Sequence, residues 1–85
     1  MTQEHLVPGE KQIQDMIREI FSGVLGKRDF GDADEFVDLG GTSLGLIAVV
    51  ARICGRLEID TEVDIAARGT SVLALSRVVG ELIGA

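Results

Sequence analysis

The sequence predicts an all-α protein, a small four-helix bundle with three longer helices, one short third helix and a long loop between the first and second. Three observations predict it. Apolar residues recur every three to four positions in separate segments, the period of a helix with one buried stripe. The chain has 85 residues, enough for one small domain with one core. At 46% hydrophobic residues it is too rich in Leu, Ile and Val to stay disordered.

Residues 1–9 read as a flexible tail closed by Pro8-Gly9, and residues 10–85 as the domain. The first helix spans about 10–25. Ile13, Ile17, Ile20, Phe21, Val24 and Leu25 form its stripe, Glu10 favours its first turn through the helix dipole, and Gly26 suits its C-terminal cap. Residues 26–42 show no helical period, so they form a long loop, which Phe30, Phe36, Val37 and Leu39 are expected to pin to the core. The second helix runs from about Ser43 to Leu57. Projected at 100° per residue, Ile47, Val50, Ala51, Cys54 and Leu57 share the buried face, with Leu46 and Ile53 at its edge. Gly45, Ala48, Val49, Arg52 and Arg56 then face outward. On this projection Ile47→Asp unfolds the bundle while Val49→Asp leaves it folded. After an acidic loop, a short helix is expected at about 62–68, anchored by Val63, Ile65 and Ala66. The last helix covers about 71–84, capped by Thr70 or Ser71, and buries Val72, Leu75, Val79, Leu82 and Ile83.

Charge and motifs exclude several functions. Asp and Glu number 14 against 8 Lys and Arg, a net charge of −6, with no basic stripe to neutralise phosphates. Nucleic acid and anionic membrane surfaces are therefore poor partners. The N-terminus lacks the apolar run of a signal peptide, which makes a soluble cytoplasmic protein the expectation. One cysteine, Cys54, forms neither an intrachain disulfide nor a multi-cysteine metal site, and it falls on a core position. From Asp32 the chain reads DADEFV, with Phe36 and Val37 where a calcium loop needs an oxygen ligand and a glycine. GGTS lacks the lysine of a P-loop.

The stretch DLGGTSLG, residues 38–45, satisfies G-x-S-x-G, the nucleophile turn of many hydrolases. Catalysis there needs a preceding strand and a histidine; the only histidine is His5, in the tail. Two readings of Ser43 remain. It is a helix cap, or it is a serine that another enzyme modifies. The second draws on the unpaired N–H groups and positive dipole end of a helix N-terminus, which stabilise a phosphate ester. Gly40 and Gly41 leave room for a partner's active site, and Asp38 places a carboxylate just upstream.

EFVDLGGTSL resembles the signature of the peptidyl carrier proteins, or thiolation domains, within the acyl carrier protein-like family. IREIFSGVLG, DADEFVDLGG and SVLALSRVV resemble that family's first helix, long first loop and last helix, so the likeness runs from about Glu10 to Ile83. It implies a carrier with no catalysis of its own. Ser43 would bear a covalent phosphopantetheine from coenzyme A, whose thiol holds an aminoacyl or acyl group as a thioester. By position, Asp38, Leu39, Gly40 and Gly41 match the segment before that serine and Leu44 the residue after it. The docking face expected for partners comprises Asp38, Leu39, Gly41, Thr42, Leu44, Gly45, Ala48, Val49 and Arg52. Those partners are a phosphopantetheinyl transferase, an adenylating enzyme and downstream condensing or tailoring enzymes, visited by a monomeric, freestanding carrier. Thr42 before the serine, and a second helix with two arginines and no acid, favour the nonribosomal peptide type over the fatty-acid type. The alternatives are a polyketide or fatty-acid acyl carrier, and an unmodified helical adaptor in which Ser43 only caps its helix.

Overall fold

The computed structural model describes residues 9–60 and 64–84. Three α-helices make up the framework: α1 (Glu10–Leu25), α2 (Ser43–Leu57) and α3 (Val72–Ile83). No strand occurs among the described residues, and no helix among them is long and apolar enough to cross a membrane. α1 packs against both α2 and α3. The tail expected at 1–8 lies outside the described residues.

α1 follows its sequence pattern closely. Ile13, Ile17, Ile20 and Phe21 are buried, Val24 and Leu25 pack at the core's margin, and Gly26 caps the helix in the left-handed region. Val49, Ile53 and Cys54 of α2, with Val72, Leu75 and Val79 of α3, complete the interior. Burial pushes the Cys54 thiol above its ordinary value, with Asp60 adding to the effect, as suits a core position rather than a reactive one. Ser71 caps α3 by accepting the Ala74 N–H. Leu82, expected in the buried stripe, is 44% exposed in the last turn before the chain leaves the helix at Gly84. Val78, Ser76 and Gly80 are buried instead.

Two further expectations are corrected. The short helix at 62–68 is absent among the described residues, which form a turn at 65–68; Val63 lies outside them. Gly69, at φ 139°, takes the chain out of helical conformation directly after Arg68, so the segment closes as a single turn, at whose start the Asp64 carboxylate accepts the Ala66 N–H. Ile65 still fills the core, and Arg68 pairs with Glu81 of α3 across the surface.

The second correction concerns the rotation of α2. Val49 is fully buried and Ile47 is 63% exposed, the reverse of the expected facing. Ala51 is also exposed. α2 is apolar around most of its circumference, so its periodicity alone leaves the rotation open. Contact decides it. A Cβ added at Gly45 would lie 3.2 Å from Phe36 Cζ and 3.4 Å from Val24 Cγ1, so this glycine faces inward against the loop and α1. Four residues on, on the same face, Val49 follows it into the core.

Long as it is, the loop is held at several points. Phe30 and Phe36 are buried, the Phe30 ring tilted 36° to that of Phe21 at 6.0 Å and Phe36 meeting Phe21 edge-on at 5.3 Å. Arg18 of α1 lies over the Phe30 ring, donates to the Phe30 carbonyl at 2.6 Å, and forms an ion pair with Asp32. Gln14 donates to the other Asp32 oxygen at 2.8 Å. Leu39 is half-buried, whereas Val37, expected to pin the loop, is 69% exposed at the start of a 3₁₀ turn over Val37–Leu39.

Candidate functional site

The site is built where the loop hands over to α2. Phe36 organises it from beneath. Its carbonyl accepts the N–H groups of Leu39 and Gly41, each at 3.1 Å, and this folds the 3₁₀ turn back on itself. Gly40 closes the turn with φ of 91°, a left-handed conformation that glycine adopts without strain. The chain then passes directly over the Phe36 ring. A Cβ on Gly41 would fall 2.1 Å from Phe36 Cε2, so glycine is required there by an intramolecular contact, not only by the needs of a visiting enzyme.

Thr42, not Ser43, is the N-cap of α2. Its extended backbone and its Oγ1, which accepts the Gly45 N–H at 3.0 Å, perform the capping. Ser43 is the first helical residue. It is exposed, and among the described residues its hydroxyl makes no hydrogen bond. The adaptor reading made Ser43 the cap; Thr42 already fills that role, which leaves the Ser43 oxygen free for chemistry. The N–H groups of Ser43 and Leu44 have no intrahelical carbonyl to meet and sit at the positive end of the helix dipole.

The residues expected to dock partners divide into two groups. Asp38, Thr42, Leu44 and Arg52 are exposed, and Ala48 is partly so. Gly41, Gly45 and Leu39 are half-buried and support the turn from inside, while Val49 is wholly buried and is struck from that face. Two exposed apolar side chains were missed. Ile47 stands one turn beyond Ser43 on the same face, and Val37 lines a cavity of about 140 Å³ with Phe36, Gly41, Thr42, Ser43, Leu46 and Thr70. With Leu44, 78% exposed, they make an apolar collar around the hydroxyl. A signal for Ile47 was present: residues four apart on a helix share a face, so an accessible Ser43 carries Ile47 outward with it.

Behind this collar, Glu35 and Thr70 tie the loop to the start of α3. Glu35 Oε1 accepts the Thr70 N–H at 2.9 Å and the Thr70 hydroxyl at 2.7 Å, while Thr70 Oγ1 accepts the Phe36 N–H at 3.1 Å. The backbone bond from Thr70, then the hydroxyl bond, hold the Glu35 carboxyl below its ordinary value of 4.5. A carboxylate depressed on folding contributes stability above its unfolded value, and that contribution is lost as pH falls through the folded one. Glu35→Gln is therefore expected to be less stable than the parent at neutral pH. The gap should close as pH is lowered through and below 4.5, read from urea midpoints across the titration.

The geometry fits a phosphodiester-linked group on Ser43. The oxygen is exposed and unpartnered among the described residues, and the N–H groups of the first helical turn lie beside it to receive an anion. A family model described as "phosphopantetheine attachment site" matches residues 15–79. No curated protein matches the chain, and no solved structure does.

Proposed function

The chain belongs to the phosphopantetheine attachment site family, so it is a carrier that bears a covalent phosphopantetheine and is not itself a catalyst, and we propose that Ser43 is the residue that bears it. The observation that carries this reading is the division of labour at the head of α2: Thr42 caps the helix, and the adjacent Ser43 hydroxyl is exposed and unbonded among the described residues. When attached, the group supplies a thiol on a flexible arm, able to carry an acyl group as a thioester. In the attachment, Ser43 Oγ bonds to the phosphopantetheinyl phosphorus of coenzyme A, the pyrophosphate bond breaks, adenosine bisphosphate leaves, and the hydroxyl proton passes to the transferase.

The chain's own residues do the presenting. Gly41 lays the turn flat against Phe36, the N–H groups of the first turn of α2 would receive the phosphodiester's charge, and Leu44, Ile47 and Val37 give a partner modest apolar contact. Asp38, Thr42, Ala48 and Arg52 extend that docking surface. The peptidyl type, charged by an adenylating enzyme and serving condensing or tailoring enzymes, is supported by Thr42 before the serine and by Arg52 and Arg56 on an acid-free α2. A polyketide or fatty-acid type would be charged instead by an acyltransferase from an acyl thioester.

Incubation with coenzyme A and a phosphopantetheinyl transferase is expected to raise the intact mass by one arm, and Ser43→Ala is expected to abolish the gain. An arm that still attaches to Ser43→Ala would move the site elsewhere. Loading the modified protein with an adenylating enzyme and an amino acid, against an acyltransferase and an acyl thioester, then distinguishes the two carrier types.

A further inference from the structure

We propose that Glu35 and Thr70 are a positioning pair for arm attachment, holding the 36–42 turn in the form that presents Ser43 to the transferase; the inference rests on Ser43 being the attachment residue. Glu35 stands at the first position of the loop–helix signature, whereas Thr70 lies outside it, 27 positions from Ser43 in a chain of 85 residues. The fold nevertheless brings Thr70 to the same cavity as Ser43.

The connection is a short series of contacts. The Thr70 hydroxyl donates to Glu35 and accepts from the Phe36 N–H, so it fixes the peptide on the N-terminal side of Phe36. The Phe36 carbonyl, on the other side, accepts from Leu39 and Gly41. Held at both ends, Phe36 has its ring fixed against Gly41 and Gly45, the two glycines that flank Thr42 and Ser43 along the chain. A second tether from the same connection, the Leu73 N–H to the Asp32 carbonyl at 3.0 Å, keeps the loop beside α3. The turn needs such support. Val37, Asp38, Gly40, Thr42 and Ser43 are all exposed, so little buried surface opposes the conformational entropy of this stretch. A nucleophile displaced by even about 1 Å can lose on the order of 100-fold in rate.

The test uses the full chain with coenzyme A and a phosphopantetheinyl transferase, following the modification rate by intact mass. Thr70→Val keeps the side-chain shape and removes the hydroxyl; Thr70→Ser keeps the hydroxyl. Losing a hydrogen bond to a charged group is expected to lower kcat/KM for modification about 10-fold in Thr70→Val. Thr70→Ser is expected to restore it to within about 2-fold of the parent. Amide hydrogen exchange provides the readout that a general loss of stability would not reproduce. The Gly41 and Gly45 amides should exchange faster in Thr70→Val, while those of Ile17 and Phe21 in α1 keep the parent's protection. A parental modification rate in Thr70→Val overturns the proposal. So does a rate that falls only with the unfolded fraction, alongside exchange raised uniformly. Ser43→Ala, run in parallel, separates the two readings. An arm on that variant overturns the attachment assignment and this proposal with it. No arm there, with a normal rate for Thr70→Val, overturns the positioning pair alone.

Discussion

Val49→Asp is expected to unfold the protein, while Ile47→Asp leaves its helices intact. Val49 is fully buried in the apolar core, so a carboxylate there would be withdrawn from water among apolar side chains. Burying an unpaired charge costs several kcal/mol, on the order of 5 or more once the lost apolar contacts are included. A domain of this size is stable by only about 4–13 kcal/mol, so that cost removes much or all of it. Ile47, by contrast, is mostly in solvent, and the exchange there should alter stability by less than about 1 kcal/mol. Far-UV circular dichroism with urea titration checks both. Equal loss of helix in the two variants, or loss confined to Ile47→Asp, would show the rotation of α2 to be wrong. Ile47→Asp should also slow arm attachment, since it places a charge in the apolar collar beside Ser43.

Phe36→Ala is expected to be the most damaging change in the loop, at about 3–5 kcal/mol. The ring is buried, meets Phe21 edge-on, and supports Gly41 and Gly45. Gly41→Ala attacks the same contact from the other side. Its new methyl would lie 2.1 Å from Phe36 Cε2, so the ring or the turn must move, at about 1–3 kcal/mol. The two changes should not add. The three nearest atoms that the methyl at position 41 would meet all belong to the Phe36 ring, so Gly41→Ala in the Phe36→Ala background should cost much less than in the parent. A double-mutant cycle from urea unfolding measures this coupling. Additive effects would mean that Gly41 and Phe36 do not oppose one another.

The helix limits were legible because their signals are local. The stripe in α1, Gly26 after it, the start of α2 at Ser43 and a hydroxyl residue before α3 all lie within a few positions of the boundary they set. Ser43 was legible as a candidate for the same reason, through the glycines before it. The turn at 65–68 was not, because so short a segment carries too little periodic signal to separate a turn from a helix, and Gly69 ends it at once. Thr70 was read only as a possible cap; its bonds to Glu35 and Phe36 join residues 35 and 34 positions apart.

From its residues alone, then, this protein is three longer helices, a short one expected at 62–68 and a long glycine-bearing loop, with a serine at the head of the second helix, because period and capping act over one or two turns of chain. Which side of α2 faces inward, that Thr42 rather than Ser43 takes the cap, and what holds the turn in place were decided only in three dimensions. An almost wholly apolar helix carries too little contrast to orient itself. It was the Phe36 ring, reaching Gly41 and Gly45 from the loop, that turned Val49 inward and left Ser43 and Ile47 facing out.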